Sequence, residues 1–272
     1  MPWLMLRIGL VGCGTIGTRL ALALEHDYPH AARITALHDT DPAQAMRLRR
    51  RLRRHPPVLS LPALIQRSRL VIETASASAA RRVAREALQA HRDVLIMSVG
   101  GLLQDRAWQR QARRSRGKVY IPSGGLAGLD GVKAMALGRI ERASLTTRKP
   151  PGALASAPYL RGKAMRLARL TRPSVVFDGS AEAVVKAFPQ NTNVAAALTL
   201  ASGVPSRQTR VRVVADPTIR VNIHEVEVLG DCGRLLCRIE SRPSANPKTS
   251  ELAVRSAIAS VRRLLEPVSI GT

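Results

Sequence analysis

The sequence predicts an α/β fold in which a doubly wound parallel sheet is followed by an α+β domain. Over the first 120 residues, short apolar runs alternate with segments of helical periodicity, which is the pattern of a parallel sheet with crossover helices. A glycine-rich turn joins the first strand to the first helix. After Ile121 the apolar residues alternate in longer runs, as in antiparallel strands. We therefore expect one domain over residues 1–122 and a second over residues 123–249.

The first strand and helix enclose the most informative motif of the chain. Residues 8–11 predict a buried strand and residues 18–25 a helix, and between them Gly12, Gly14 and Gly17 have the spacing of a dinucleotide-binding turn. The first glycine permits the bend, the second lets the backbone approach a pyrophosphate, and the third allows helix and strand to pack closely. The order of these elements indicates a Rossmann-type domain with an anion at the helix N-terminus.

A nicotinamide dinucleotide, NAD or NADP, is the cofactor that this turn predicts. Thr15 and Ile16 complete the predicted cofactor-binding turn, and Asp39 follows a second strand at Ile34–Leu37. Asp39 stands about 20 residues after the last glycine, where a carboxylate would bind the adenosine ribose 2′-OH. It favours NAD because a carboxylate repels a 2′-phosphate, although the arginines at 47–54 leave NADP open. The alternative is that Asp39 is a surface residue at the start of a turn.

The rest of the first domain continues the alternation of strand and helix. The further elements are predicted at Leu70–Glu73 (strand), Ala77–Ala90 (helix), Asp93–Met97 (strand), Gln104–Ser115 (helix) and Lys118–Ile121 (strand). Ligands bind beyond the carboxyl ends of strands in such sheets, so the loops at 74–76 and 98–100 are expected to line the nicotinamide side. Either loop could equally be an ordinary turn.

The second domain is predicted to combine strands and helices. Its elements are expected at Leu129–Leu137 (helix), Ala143–Thr147 (strand), Ala181–Ala187 and Val194–Leu200 (helices), and Arg210–Val214 and Val221–Leu229 (strands). The last amphipathic helix, Ser250–Leu265, has a plausible N-cap in Thr249 or Ser250. We expect residues 250–272 to return and pack on the first domain.

Composition excludes some classes of protein. The 272 residues carry a formal net charge of +24, with 43 Lys and Arg against 19 Asp and Glu, but the basic residues are spread along both halves and aromatic residues are only 3%. We therefore expect no nucleic-acid partner, because there is little to stack on bases. No apolar run has the length of a membrane span. The three cysteines have no metal-ligand spacing, and we predict a cytoplasmic protein with no membrane partner and no metal.

Motifs beyond residue 121 resemble one family, the L-aspartate dehydrogenases. They are, in order, Pro122-Ser123-Gly124-Gly125 with Gly128-Leu129-Asp130; Thr146-Thr147-Arg148-Lys149-Pro150-Pro151; Phe188-Pro189-Gln190-Asn191-Thr192-Asn193-Val194-Ala195-Ala196; Asp216-Pro217 with Asn222-Ile223-His224-Glu225; and Asn246-Pro247-Lys248-Thr249-Ser250. Each is weak alone, but their order after a glycine fingerprint is specific. Gly125 departs from the family, whose members commonly carry alanine there.

The resemblance implies an activity and several site residues. The activity is NAD(P)-dependent oxidation of L-aspartate to iminoaspartate, which water converts to oxaloacetate and ammonia, and which feeds NAD biosynthesis. The family's proposed catalytic histidine matches His224, and its cofactor-contacting positions match Gly125 and Asn193. The second domain would also serve for oligomerisation, so a homo-oligomer such as a homodimer is expected. The plainer alternatives are that His224 is a structural strand residue and that Asn193 only caps a helix.

The chemistry makes independent demands on the side chains. The substrate amine must lose its proton before hydride departs, so a base is needed, and histidine suits that task. His224 is the only histidine after His91. A dicarboxylate requires cations or convergent N–H donors, for which Arg148 and Lys149, and Lys248 with Thr249, are candidates.

Two alternative functions remain open from the sequence. The same fold could act on another amino acid or dicarboxylate, as in relatives of homoserine dehydrogenase or dihydrodipicolinate reductase. The chain could also be a non-enzymatic protein that binds a dinucleotide or nucleic acid through its basic surface. The intact motifs around Asn193 and His224 argue against the second alternative.

Overall fold

The protein forms two compact units, each with its own sheet. The computed structural model describes residues 5–103, 105, 107–161, 167–189, 192–243 and 250–271. The first unit contains the described residues up to Pro122 together with Val254–Ser269. The second contains Ser123–Ala253 together with Ile270 and Gly271.

The first unit is built on a parallel sheet with the strand order β2-β1-β3-β4-β5. Its strands are β1 (Leu6–Val11), β2 (Ala32–His38), β3 (Leu70–Glu73), β4 (Asp93–Ile96) and β5 (Val119–Tyr120), and its first helices are α1 (Thr15–Asp27), α2 (Pro42–Arg51), α3 (Leu61–Arg67), α4 (Ala77–Gln89), α5 (Gly100–Leu103) and α6 (Ala107–Arg114). The order reverses between β1 and β3, and such a switch point is where doubly wound sheets bind ligands. The predicted fold class of this domain is confirmed.

The helices of the first unit differ from the sequence prediction at several points. Helix α1 begins at Thr15 rather than Thr18, because the glycine turn and the first helical turn overlap, with Gly14 in an extended N-cap conformation. The helix predicted at Gln104–Ser115 corresponds to α6, and the short helix α5, which was not predicted, precedes it. Trp108 of α6 donates a 3.0 Å hydrogen bond from Nε1 to the carbonyl oxygen of Leu102 in α5. Helix α3 was not predicted because it is short and carries a proline in its first turn.

The second unit is built on a mixed sheet with the order β10-β9-β6-β8-β7. Its strands are β6 (Ile140–Lys149), β7 (Ser174–Ser180), β8 (Arg210–Ala215), β9 (Asn222–Gly230) and β10 (Gly233–Ser241), and its helices are α7 (Leu129–Met135), α8 (Pro151–Leu154), α9 (Ala181–Ala187) and α10 (Asn193–Ser202). Strands β6 and β8 are parallel and the other neighbours are antiparallel. This arrangement confirms the predicted α+β class, although β7 and β10 were missed.

The two faces of this mixed sheet differ in character. Helices α9 and α10 pack on the inner face, where Leu145, Val226 and Val228 are buried. The outer face carries charged side chains in ion pairs between neighbouring strands, such as Arg142 with Glu227 at 3.2 Å. Strand β10 was difficult to recognise in the sequence because its outward residues are mainly charged. Its inward residues are partly buried up to Ile239, and only Ser241 is buried.

The last helix, α11 (Glu251–Leu265), leaves the second unit after its first turn. Its residues Ala257 and Val261 are fully buried in the core that also contains Leu20 and Leu24 of α1. The amphipathic pattern of α11 is therefore satisfied inside the first unit. Among the described helices, none combines the length and the apolar character that crossing a membrane requires.

Candidate active site

The glycine turn in the first unit has the geometry of a phosphate cradle. Gly12 has a φ of 94°, and a Cβ there would lie 2.7 Å from the backbone nitrogen of Ala75. A Cβ on Gly17 would collide with the carbonyl oxygen of Gly12. Gly14 is different, because the nearest atom to a Cβ there is Oε1 of Gln44 at 3.8 Å. The first and last glycines are thus required by the fold, whereas the middle one leaves open space.

The N-terminus of α1 fits an anion. No side-chain hydrogen bond caps the helix at Gly14, and the Thr18 hydroxyl donates at 3.0 Å to the carbonyl oxygen of Cys13, which precedes the helix. The N–H groups of Thr15, Ile16 and Gly17 therefore stand at a helix start with the positive end of the dipole. This arrangement suits the pyrophosphate of a dinucleotide.

Asp39 lies against the same turn. Its Oδ2 accepts the Cys13 backbone N–H at 2.7 Å and its Oδ1 accepts the Asp41 N–H at 2.9 Å. An ionised carboxylate has about four acceptor positions, so Asp39 retains capacity for a ribose hydroxyl. Burial, with the nearby Asp39 charge, raises the pKa of the Cys13 thiol to about 12. Cys13 is therefore a packing residue and not a nucleophile.

Glu73 is a functional candidate that sequence reasoning missed. It is fully buried at the end of β3, where its Oε1 accepts the N–H groups of Ala75 at 2.7 Å and Ser76 at 3.0 Å. The Ser98 N–H donates to Oε2 at 3.0 Å and the Ser98 hydroxyl to Oε1 at 2.9 Å. Burial raises the pKa of Glu73, against the effect of these hydrogen bonds. One carboxyl group thus connects the loops at 74–76 and 98–100. The sequence feature that could have identified it is an acidic residue at the end of an apolar strand.

In the second unit, His224 is held in a buried polar position. It is 4% exposed on the inner face of β9, and its Nδ1 lies 3.0 Å from Oγ1 of Thr147 on β6. A Cβ on Gly125 would lie 3.3 Å from Nε2 of His224 and 3.4 Å from Oγ of Ser250. Thr147 therefore orients one ring nitrogen, and the other faces the loop at 123–128. An alanine at Gly125 would fit only tightly beside the imidazole.

Lys149 joins this group from the end of β6. It lies two residues beyond Thr147 on the same face and is 5% exposed. Burial lowers the pKa of Lys149 to about 8. Burial, followed by the Lys149 charge, lowers the pKa of His224 to about 3. The imidazole is consequently neutral at physiological pH, and the ammonium provides a buried positive charge beside it.

Asn222 and Ser241 extend the polar group toward the β10 edge of the sheet. They are paired across β9 and β10, and both are buried. Oδ1 of Asn222 and Oγ of Ser241 have no hydrogen-bond partner among the described residues. Sequence reasoning included Asn222 in a motif but gave it no role, and it did not consider Ser241, because β10 was not recognised.

The remaining predicted residues are placed differently. Arg148 lies on the opposite face of β6 from Lys149, with its Nε 3.8 Å from Oε2 of Glu225. The geometry therefore favours Lys149 over Arg148 as a substrate ligand. Asn193 is the first residue of α10, and Thr192, not Asn193, occupies the N-cap position. Lys248 and Thr249 lie outside the described residues. In the described part of the chain there is no cluster of three His, Cys, Asp or Glu residues that could hold a metal.

Comparison with known proteins gives this group of residues its context. The family described as aspartate dehydrogenase, C-terminal, matches residues 130–264, and that described as homoserine dehydrogenase, NAD binding domain, matches residues 12–122. An L-aspartate dehydrogenase of Methanosarcina barkeri is 41% identical over 98% of this chain and 100% of its own length. The chain belongs to the L-aspartate dehydrogenase family. The predicted family is thereby confirmed.

Further relatives agree with this membership. An L-aspartate dehydrogenase of Methanocella arvoryzae is 42% identical over 98% of this chain and 100% of its own length. The crystal structure of aspartate dehydrogenase from Thermotoga maritima matches with a TM-score of 0.72 and 22% identity, covering 98% of this chain and 100% of that one. At that identity the structural match supports the fold, and the match over residues 12–122 supports a nicotinamide dinucleotide as the cofactor.

Proposed function

We propose that this chain is an NAD(P)-dependent L-aspartate dehydrogenase. It oxidises L-aspartate to iminoaspartate, which water converts to oxaloacetate and ammonia. The observation that carries the proposal is the buried His224, oriented by Thr147 and adjacent to the buried ammonium of Lys149, in a chain of this family. Together these side chains supply a base and a carboxylate ligand within one unit.

The cofactor is proposed to bind through the residues that the sequence indicated. The turn of Gly12, Gly14, Thr15, Ile16 and Gly17 would hold the pyrophosphate, and Asp39 the adenosine ribose. Gly125 and Asn193 are proposed for the nicotinamide side. When bound, the nicotinamide accepts the hydride that leaves the substrate Cα. The open space at Gly14 and the uncapped N-terminus of α1 support this proposal.

His224 is proposed to remove the proton from the substrate amine. For that role Nε2 must carry the lone pair, so Nδ1–H donates to the Thr147 hydroxyl oxygen at 3.0 Å. The very low pKa of the imidazole without substrate reflects burial and the adjacent ammonium. The carboxylates of bound aspartate neutralise that ammonium and bring negative charge, which raises the pKa of His224 and makes it an effective base.

Lys149 is proposed to bind a substrate carboxylate. A buried ammonium in a low-dielectric environment interacts strongly with an anion. Arg148, Lys248 and Thr249 were also proposed from the sequence. Arg148 lies near Glu225 on the other face, which leaves Lys149 as the candidate that the geometry supports best.

The test is a spectrophotometric assay of purified protein at the NADH absorbance band. L-Aspartate should reduce NAD or NADP, and oxaloacetate with ammonium should oxidise the reduced cofactor. L-Homoserine is the control substrate and should give no reduction. Cofactor binding without turnover of L-aspartate in either direction would refute the proposed activity.

Two further proposals concern the setting of the enzyme. We propose that it works in the cytoplasm, where its product feeds NAD biosynthesis, and that it is a homo-oligomer. The outer face of the mixed sheet supports the second proposal, because Val175 and Leu236, on its two edge strands, are 56% and 66% exposed. Light scattering coupled to size-exclusion chromatography should give a mass of at least twice the 29.4 kDa of one chain.

A further inference from the structure

Unsatisfied polar atoms are concentrated beside His224. Three buried side-chain atoms in the described residues have no hydrogen-bond partner, namely Nε of Arg92, Oδ1 of Asn222 and Oγ of Ser241. The last two belong to residues that face each other across β9 and β10. Buried polar groups in folded proteins are nearly always paired. Two such exceptions side by side indicate a place where a ligand completes the hydrogen bonding.

Asn222 is positioned to share a ligand with His224. The two residues stand two apart on β9, and both lie on its inner face. Side chains at this spacing are separated by roughly 7 Å along a strand. A nitrogen atom midway between them would thus lie within reach of hydrogen bonds to both. The substrate amine is the atom that His224 must reach in the proposed reaction.

Chemistry distinguishes the amine from every other polar part of the substrate. The Oδ1 atom of asparagine is an acceptor and requires a donor. The two carboxylates of aspartate only accept hydrogen bonds, so the amino group is the one donor that the substrate offers. Ser241 Oγ and the Lys149 ammonium can donate, and they stand on either side of Asn222 because β9 lies between β10 and β6.

We propose that Asn222 Oδ1 binds the substrate amino group, and that Ser241 and Lys149 bind the adjacent carboxylate. This assignment deepens the proposed function and rests on it. Asn222 retains one N–H of the amine while Nε2 of His224 accepts the proton that is lost. The pair of acceptors orients the nitrogen lone pair so that it can form the C=N bond as hydride leaves Cα. The row of Lys149, Asn222 and Ser241 therefore recognises an α-amino acid as distinct from a simple dicarboxylate.

The experiment compares ligands with and without an amine. Calorimetry on the protein saturated with NADH, on which L-aspartate cannot be oxidised, measures the Kd of L-aspartate and of succinate, which is a dicarboxylate without an amino group. In Asn222→Ala the Kd of L-aspartate should rise about tenfold or more, as for a lost hydrogen bond to a strongly polar group, while the Kd of succinate stays within about twofold. In Ser241→Ala both ligands should bind more weakly.

Thermal melts distinguish a ligand-binding role of Asn222 from a structural one. Because Oδ1 of Asn222 has no partner within the described fold, Asn222→Ala should leave the Tm of the ligand-free protein almost unchanged. Cys237→Ala is a matched control, since Cys237 lies on the same face of β10 as Ser241 and outside the proposed subsite. It should change neither Kd.

Each result has a definite consequence. Equal weakening of L-aspartate and succinate in Asn222→Ala, or unchanged affinity for L-aspartate, would overturn the assignment of the amine to Asn222. A different outcome separates the two proposals. If the wild-type protein binds both ligands and the variants change their Kd values as predicted, but L-aspartate never reduces NAD, the proposed activity fails and the subsite stands.

Discussion

The candidate ligand-binding groups of the two units are of different kinds. The first uses backbone: positive φ at Gly12, close packing at Gly17 and the free N–H groups at the start of α1. The second uses buried side chains, with His224, Thr147 and Lys149 on one face of two neighbouring strands. Backbone recognition depends on glycine spacing along the chain, whereas side-chain chemistry depends on the register of strands that are distant in sequence.

The largest effect should come from removing the proposed base in the second unit. His224→Ala is expected to lower kcat by about 10²- to 10⁴-fold, the usual contribution of general base catalysis. The Kd of NAD should stay within about twofold of wild type, because the first unit would retain its turn. Stopped-flow turnover and fluorescence titration of the cofactor measure the two quantities. A comparable loss of cofactor affinity would mean that the proposed division of labour between the units is wrong.

Substitutions within the glycine turn should separate effects on protein stability from effects on cofactor binding in the first unit. Gly17→Ala is expected to destabilise the protein by about 1–3 kcal/mol, because its Cβ would collide with the carbonyl oxygen of Gly12. Gly14→Ala meets no close atom and should leave the unfolding midpoint unchanged, yet raise the Kd of NAD about tenfold. Urea unfolding and cofactor titration check the pair. Identical behaviour of the two variants would contradict separate roles for these glycines.

The pH dependence of anion binding should reveal Lys149. Since burial lowers the pKa of Lys149 to about 8, its ammonium is present below that pH and lost above it. The inhibition constant of succinate should therefore rise about tenfold per pH unit above pH 8, as expected when binding requires one protonated group. In Lys149→Met the constant should be high and independent of pH between 7 and about 10. The same inflection in the variant would exclude Lys149 as its source.

The smallest effect is expected at the ribose end of the cofactor site. Asp39→Ala removes a carboxylate that would repel a 2′-phosphate, so the ratio of kcat/KM for NAD to that for NADP should fall, by less than about tenfold. The loss of its hydrogen bonds to the N–H groups of Cys13 and Asp41 should also lower Tm slightly. An unchanged cofactor ratio with a lowered Tm would make Asp39 a structural residue of the turn.

Sequence reasoning predicted local elements in both units but missed roles that depend on contacts between distant segments. Strand β3 and helix α9 were predicted with their observed bounds, because short apolar runs and helical periodicity are local signals. Strand β10 was missed because its outward residues are mainly charged, and with it Ser241. Glu73 was read only as the end of a strand, although its carboxyl group connects two loops. Such roles depend on contacts between segments that the sequence does not place together.

The sequence by itself determined the family, the two-part fold and the glycine turn, because these depend on local spacing and on ordered motifs. It also brought forward His224 as the candidate base through the motif around it. Only the tertiary structure separated the positions of Arg148 and Lys149, since alternation along β6 places one beside Glu225 and the other in the interior with His224. It also placed Asn222 beside Ser241. Burial and strand register, which no single segment specifies, determine which polar groups remain available to a substrate.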